Sequence, residues 1–417
     1  MSVSAEHTKD AKRELPDGWR WAKLREVADV VNGFGFAESL QGRTDLPYPF
    51  IKVSDMNAPG AEIVIEKAAN TVDDEILRYL GARCYPQGTV VFPKVGGALL
   101  TNKKRVLGRD SSFDNNIMGV VPRHADGAFL YYWLCTVDLA AHANTQALPS
   151  IRQSLVASFD IPLPPLPEQR RIAGLLKEQI TAVEKARAAA HARLEAVKAL
   201  PDAFLRQVFP QPGQPLPDGW RWIKLREVCE LNPRRPSIDR NDSDPTSFIP
   251  MEAVDAISGL VSDLRVRQYG EVKKGYTYFA EGDVLFAKIT PCMQNGKHTI
   301  AKGLIGGIGF GTTEFHVLRP NENIISEVIW FFIRQPNVLI EATEHFTGAV
   351  GQQRLPDDYL ANLEIPLPPL AEQRRLAGVL REQMAAVEKA RAAVENELNT
   401  INALPAALLC RAFNGEI

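Results

Sequence analysis

The side chains best suited to bind a ligand lie in two segments that match each other, GTVVFPKVGGALLTNKKR at 88–105 and GDVLFAKITPCMQNGKHT at 282–299. Each segment reads as a strand, a lysine, a glycine-containing turn, and then amides and further basic residues. Lysine suits phosphate oxygens, and amides can pair with adenine edges. The candidate DNA-binding residues here are Lys94, Asn102, Lys103, Lys104, Arg105, Lys288, Gln294, Asn295 and Lys297.

A second matching pair of loops is TQALPSIRQS at 145–154 and GAVGQQRLPDD at 348–358. Arginine and glutamine are well suited to read guanine and adenine edges. The candidates in these loops are Gln146, Arg152, Gln153, Gln352, Gln353 and Arg354. Arg234 and Arg235, between two prolines, form an exposed basic pair that could hold a phosphate. Ordinary solvated loops remain the alternative for all of these positions, although recurrence in both halves strengthens the binding interpretation.

Motifs for catalysis are scarce. The sequence has no P-loop, GxSxG or HExxH motif, and GGIGFG at 306–311 lacks the setting of a dinucleotide loop. Asn232-Pro233 is followed by arginines rather than by the aromatic residue needed to stack a flipped base. The 5 cysteines form no CxxC pair, and the 7 histidines show no ligand spacing. We therefore expect no catalytic residue, no metal and no cofactor in this chain.

The overall charge gives little support to nucleic-acid binding. The 417 residues include 48 basic and 50 acidic ones, for a net charge of −2. Both of the segments that carry the candidate loops are slightly acidic, whereas a nucleic-acid binder usually presents a basic face. The longest apolar runs are too short to span a bilayer, and the polar N-terminus has no signal core. We expect a cytoplasmic protein without a membrane segment.

The elements that must position these loops occur twice. LPDGWRWAKLREV at 15–27 returns with one change at 216–228, and IPLPPLPEQRRIAGLLKEQITAVEKARAA at 161–189 returns in similar form at 365–393. The sequences between these motifs differ. The chain is therefore two tandem units, each with a fixed frame and a variable body, as expected for a reader of two different targets.

Each frame opens with a Pro-Asp-Gly turn and an alternating Trp-Arg-Trp strand, and closes with a proline-stiffened approach to a helix. The bodies contain short β-branched runs at 50–53, 89–95, 283–289 and 313–318, and one longer helix each, at about 127–143 and 321–344. This pattern predicts mixed α+β bodies.

The helices at 168–200 and 372–404 show apolar residues at three- and four-residue spacing, which predicts an antiparallel coiled-coil pair and a pseudo-twofold repeat. We expect aspartate at Leu176 and Leu380 to separate the halves. The predicted seam residues are Ile172, Leu176, Val183, Leu376, Leu380 and Val387.

The resulting fold class is α+β, with two globular domains separated by a pair of long antiparallel helices. The predicted division is a polar tail at 1–14, a first globular domain at 15–160, a first helical spacer at 161–209, a second globular domain at 210–364 and a second helical spacer at 365–417.

The duplicated IPLPPL-x-EQRR motif, the GDVLFAKITPCMQNGK loop, and the GTTEFHVL and GQQRLP segments resemble the DNA-specificity subunits of type I restriction-modification systems. The likeness runs from residue 15 to about 415. The first body departs from it, with ALPSIRQS where the second has GQQRLP.

The resemblance implies two target recognition domains, each reading one half of a split double-stranded DNA sequence, and helices that set the gap. It also implies modification subunits that bind S-adenosylmethionine and methylate adenine, restriction subunits recruited through them, and no catalysis by this chain. Two other classes stay open: a coiled-coil scaffold whose bodies bind protein partners, and a stand-alone methyltransferase or nuclease.

Overall fold

The computed structural model describes residues 14–144, 148–349 and 353–417. The chain divides into two compact units. Unit 1 holds the described residues up to Ala188 together with Asn399–Ile417, and unit 2 holds Ala189–Leu398. Each of the two long helices therefore contributes residues to both units.

The described residues of unit 1 up to Ala188 form ten strands and the helices α1 to α6, the last of which continues into unit 2. The strands are β1 (Arg20–Lys23), β2 (Ala28–Asn32), β3 (Tyr48–Ile51), β4 (Val64–Ile65), β5 (Thr71–Val72), β6 (Val90–Pro93), β7 (Arg105–Leu107), β8 (Ser112–Phe113), β9 (Ile117–Pro122) and β10 (Asp160–Leu163). The helices are α1 (Leu24–Val27), α2 (Asp74–Tyr79), α3 (Gly96–Leu100), α4 (Gly127–Thr136), α5 (Gln153–Ala157) and α6 (Leu166–Val208).

The main sheet of unit 1 has the strand order β2-β9-β6-β7-β4, and a smaller sheet has the order β5-β3-β8. The apolar helix α4 covers the main sheet, with Phe129, Leu130 and Leu134 in one core with Val90 and Phe92. Ile51, Val91, Phe113 and other buried residues form a separate core. The ends of β2 and β6 are thus held by packing on both faces of one sheet.

The part of unit 2 that the structure describes also forms ten strands, and beside the end of α6 it holds the helices α7 to α12, the last of which continues into unit 1. The strands are β11 (Arg221–Lys224), β12 (Cys229–Leu231), β13 (Pro245–Ile249), β14 (Arg265–Gln268), β15 (Thr277–Ala280), β16 (Val284–Ala287), β17 (His298–Ile300), β18 (Ile308–Gly311), β19 (Phe315–Pro320) and β20 (Glu364–Leu367). The helices are α7 (Leu225–Val228), α8 (Tyr269–Val272), α9 (Ser326–Ile333), α10 (Pro336–Glu344), α11 (Asp357–Asn362) and α12 (Leu370–Phe413).

The sheets of unit 2 have the orders β12-β19-β16-β17 and β14-β13-β18-β15. The second predicted helix, 321–344, is interrupted: α9 ends at Ile333, and Pro336 starts α10. Proline suits a first helical turn because it has no N–H to lose. The first predicted helix, 127–143, ends earlier, at Thr136, where the next residue is extended.

The two repeated motifs of each frame pair with each other. Strand β1 pairs antiparallel with β10, with Arg20 opposite Leu163. Strand β11 pairs with β20 in the same register, with Arg221 opposite Leu367. In each unit, the strands before and after the body therefore form one short antiparallel ladder. This ladder holds the two ends of the body in place while the sequence between them differs.

The glutamine of each EQ motif fixes the start of a long helix to its body. Gln169 is 2% exposed; its Oε1 accepts the backbone N–H of Asp126 at 2.8 Å and its Nε2 donates to the carbonyl of Pro164 at 2.8 Å. Gln373 is fully buried and bonds in the same way to Ile325 and Pro368. This amide explains why the motif recurs.

The long helices run antiparallel within unit 1. Arg171 donates to the carbonyl of Ile417 at 2.8 Å, and Arg187 donates to Oδ1 of Asn402 at 2.8 Å. The partner number falls as the residue number rises, which is the signature of antiparallel helices. In unit 2, Arg193 pairs with Glu397 at 2.5 Å.

All six predicted seam residues are buried. Three of them, Ile172, Leu176 and Leu380, lie in core clusters that contain none of the seam residues of the other helix. Ile172 and Leu176 lie in the core of unit 1 with Leu409 and Phe413. Leu380 lies in the core of unit 2 with Leu205 among others. Each helix start thus packs against its own body and the far end of the other helix. The expectation that aspartate at Leu176 and Leu380 separates the halves stays a prediction, although each of the two leucines lies in the core of a single unit.

The helices also extend beyond the predicted ends at 200 and 404. They continue through Pro201 and Pro405 to Val208 and Phe413. A proline inside a helix costs about 3 kcal/mol. Burial of Leu205 and of Phe413 beyond the two prolines offsets that cost.

Candidate nucleic-acid interface

The two candidate loops of unit 1 are joined by backbone hydrogen bonds. The N–H of Ile151 donates to the carbonyl of Lys94 at 3.0 Å, and the N–H of Gly96 donates to the carbonyl of Pro149 at 2.7 Å. The segment after β6 and the segment before α5 therefore lie together on one surface, a contact that the sequence did not predict. The N–H of Lys94 also donates to the carbonyl of Asn116 at 2.8 Å.

Three polar side chains meet on this surface. Nζ of Lys94 donates to Oδ1 of Asn32 at 2.7 Å, and Nδ2 of Asn32 donates to Oε1 of Gln153 at 2.6 Å. Nε2 of Gln153 donates to the carbonyl of Val30 at 2.6 Å. Burial lowers the pKa of Lys94, with the nearby Asp114 carboxyl opposing the shift.

Asn32, the centre of this cluster, was not among the residues singled out from the sequence. Asn32 is the last residue of β2, and in the sequence it precedes Lys94 by 62 residues and Gln153 by 121. Its only sequence signal is a polar residue before Gly33 at the end of an apolar strand. That pattern is common in loops, so only the sheet order brings it to the site.

Unit 2 has the same backbone frame. The N–H of Leu355 donates to the carbonyl of Lys288 at 2.9 Å, and the N–H of Lys288 donates to the carbonyl of Glu314 at 2.9 Å. These bonds make Lys288 the counterpart of Lys94, as predicted. By the same bonds Leu355 corresponds to Ile151, so Arg354 corresponds to Ser150 and Asp357 to Gln153, a residue-by-residue match that the matching of the two segments in the sequence left open.

The side chains on this frame differ between the units. Arg354 makes two hydrogen bonds to the Glu314 carboxylate, at 2.8 and 2.7 Å. The bond from Arg354 lowers the pKa of Glu314, and burial opposes the shift. His316 contacts the carbonyl of Leu355 at 2.8 Å and the amide of Asn232 at 3.2 Å. An ion pair in unit 2 thus takes the place of the amide cluster in unit 1.

The predicted basic tip at 102–105 is largely structural, and the prediction for Lys104 is wrong. Lys104 is only 4% exposed, and its Nζ donates to Oδ1 of Asn102 and to the carbonyl of Val137, both at 2.7 Å. Burial lowers the pKa of Lys104 to about 8. Arg105 is half-buried and donates to the carbonyls of Lys104 and Met56.

Asn102 has a positive φ of 54° and its side chain accepts the N–H of Leu139, so it shapes the turn. Lys103 is half-exposed and donates to Oδ1 of Asn57. Of the two lysines at this predicted tip, Lys103 is therefore accessible to a ligand, whereas Lys104 is buried.

The remaining candidates occupy varied surroundings. Lys297 donates to the carbonyl of Met251 at 3.2 Å. Arg235 donates to the carbonyl of Lys273. Gln353 is half-buried, and the exposed residues among these remaining candidates are Arg152, Arg234, Arg235, Gln294 and Asn295. Gln146 and Gln352 lie outside the described residues.

Within residues 14–144, 148–349 and 353–417, no cluster of three or more His, Cys, Asp or Glu could hold a metal ion. No helix in the same described part of the chain is long and apolar enough to cross a membrane. All five cysteines are free.

Comparison with known proteins identifies the family. The pattern of the type I restriction modification DNA specificity domain matches residues 16–190 and 217–398. The chain therefore belongs to this family and carries the domain twice. The two matched regions coincide with the duplication that defines the frames.

Relatives and solved structures agree with this assignment. The chain is 42% identical over 170 residues to the EcoEI type I restriction enzyme specificity subunit of Escherichia coli, covering 40% of this chain and 28% of that protein. It is 38% identical over 216 residues to the EcoAI specificity subunit of Escherichia coli, covering 51% and 35%. The matched part thus spans about a third of these relatives. A chain solved in work on complex assembly and conformational transition of the type I R-M system shares the fold, with a TM-score of 0.73, 22% identity, and coverage of 97% and 100%.

Proposed function

We propose that this chain is the non-catalytic specificity subunit of a type I restriction-modification complex, in which each unit reads one half of a bipartite double-stranded DNA target. The observation that carries this is the repeated loop frame. Lys94 and Lys288 hold the same backbone hydrogen bonds, while the side chains around them differ. A constant frame with different polar groups is what two readers of different half-sites require.

The long helices are proposed to set the gap between the half-sites and to recruit the modification subunits. They are 43 and 44 residues long, about 65 Å at 1.5 Å per residue. An element of fixed length, here nearly two DNA turns of about 34 Å, suits a ruler that holds two half-sites at a constant gap. The modification subunits would bind S-adenosylmethionine and methylate adenine, and restriction subunits would join through them in the cytoplasm.

Methylome sequencing of cells that express this chain with its modification subunit tests the proposal. We expect one methylated motif with two specified half-sites and an unspecified gap. Cells that carry the modification subunit alone are the control. An unmethylated genome, from a complex shown to assemble, would contradict the assignment.

The acidic bodies and the paired helices keep a protein scaffold as the second candidate. DNA binding releases counterions, so the logarithm of the affinity falls steeply with the logarithm of the salt concentration. We expect alanine at Lys103 or Lys297 to reduce that slope by about one unit for each lost phosphate contact. Duplex affinity that does not vary with salt would favour the scaffold.

A further inference from the structure

One cluster of unit 1 has a hydrogen-bonding pattern that specifies more than general DNA contact. We propose, resting on the proposed function, that Gln153 reads the major-groove edge of an adenine in the half-site bound by unit 1, and that Asn32 is the positioning residue that fixes the Gln153 amide.

The orientation of the Asn32 amide is set by its neighbours. Lys94 Nζ is only a donor, so the Asn32 atom that it meets at 2.7 Å must be the carbonyl oxygen Oδ1. The amide nitrogen of Asn32 then points to Gln153 and donates to Oε1 at 2.6 Å. The Lys94 ammonium, the Asn32 amide and the Gln153 amide therefore form a chain of hydrogen bonds in which each group donates to the next.

The Gln153 amide is fixed from both ends. Its oxygen accepts from Asn32, and its nitrogen donates to the carbonyl of Val30 at 2.6 Å. Within the described residues, this leaves one lone pair on Oε1 and one hydrogen on Nε2. The side chain is exposed at the first residue of α5.

An amide that keeps one acceptor position and one donor position suits adenine, whose N6 amino group donates and whose N7 accepts. Guanine presents two acceptors on the same edge, so it would meet the Gln153 carbonyl oxygen without a donor. Fixing the amide in advance also reduces the side-chain entropy lost on binding.

Unit 2 provides an internal comparison. Asp357 occupies the position of Gln153, and a carboxylate accepts but does not donate. Ser150 of unit 1 is replaced by Arg354, which is paired with Glu314. The adenine pairing is therefore specific to unit 1, and the base read at the equivalent step by unit 2 must differ.

The test selects binding sites from a randomised duplex DNA library, using the full chain in complex with its modification subunit. We expect Gln153→Ala to reduce the preference for adenine at one position of one half-site by about tenfold or more, because a bidentate pair contributes about 1–3 kcal/mol. Gln153→Glu, which keeps the shape and removes the donor, should move that preference towards cytosine. The other half-site should not change.

Asn32→Ala should weaken the same adenine preference without altering affinity for unrelated duplex DNA. Ser154→Ala, an exposed neighbour in α5, is the matched control and should leave both half-sites unchanged. Unchanged preferences in Gln153→Ala and Gln153→Glu would overturn this inference alone. A wild-type complex that selects no motif would overturn the proposed function as well.

Discussion

Two adjacent lysines, Lys103 and Lys104, have opposite surroundings. Lys103 is half-exposed and bonds to one amide, whereas Lys104 is buried against Asn102 and the carbonyl of Val137. Burial disfavours the charged form, which is why the pKa of Lys104 falls to about 8. A run of basic residues in the sequence therefore does not by itself identify a binding surface, because some of these residues are buried and others are exposed.

This burial predicts a pH dependence of stability. The pKa of Lys104 is about 8 in the folded protein, against about 10.4 for lysine in an unfolded chain. Between these values the unfolded chain binds a proton that the folded chain does not, so stability rises with pH. We expect the wild-type protein to gain about 2–3 kcal/mol over the Lys104→Met variant between pH 7.5 and 10.

Urea unfolding at the two pH values measures this difference. Lys103→Met is the matched control, and its pH dependence should follow that of the wild type. Equal pH dependence in the Lys104→Met variant and the wild type would mean that Lys104 is solvated in solution.

The long helices show how packing overrides local propensity. Each contains a proline, at 201 and 405, that would end an isolated helix. Each continues because its last turns carry apolar residues into a core, such as Leu205 in unit 2 and Phe413 in unit 1. Phe413 lies 5.2 Å from Phe129, centroid to centroid. Each long helix therefore packs against its own body at its start, and its last turns contribute to the core of the other unit.

Substitution at the start of each helix should destabilise one unit at a time. Leu176→Asp buries an unpaired charge in the core of unit 1, and Leu380→Asp does the same in unit 2, each at a cost of about 3–5 kcal/mol. Hydrogen exchange followed by mass spectrometry should show faster exchange in the β-strands of the affected unit.

Exposed positions on the same helices supply the controls. Ala182→Asp in α6 and Val379→Asp in α12 should change exchange little. Equal loss of protection in both units from either leucine variant would instead indicate one common seam, as first expected from the sequence.

The whole molecule is a duplicated frame with two different bodies. The ladders β1–β10 and β11–β20 share one register, so both bodies begin and end on equivalent backbone positions. Gln169 and Gln373 fix the following helices in equivalent ways. Because the two frames hold the ends of the bodies in equivalent ways, we expect that one body can be exchanged for the other without redesign of its ends.

Replacing body 229–364 with a second copy of 28–160 tests this modularity. If the proposed function holds, the hybrid should recognise two copies of the same half-site in inverted orientation, as the repeat predicts. Methylome sequencing of a strain that expresses the hybrid with its modification subunit measures half-sites and gap together. The reverse exchange is the control and should duplicate the other half-site.

A related change tests the helices as a ruler. Adding one heptad to both α6 and α12 should widen the gap or abolish methylation, with the half-sites unchanged. Altered half-sites with a constant gap would show that the helices do not set the spacing.

The sequence alone determined the duplication, the α+β bodies, the antiparallel helices and the equivalence of Lys94 in unit 1 to Lys288 in unit 2. These follow from repeated motifs and from apolar spacing, which are local properties of the chain. The tertiary structure decided which polar residues share a surface. Asn32 joins Gln153 across 121 residues because sheet order places their segments together, and Lys104 is withdrawn because a neighbouring segment supplies Val137 to cap it. Contacts of this range depend on packing between elements, which no spacing along the chain encodes.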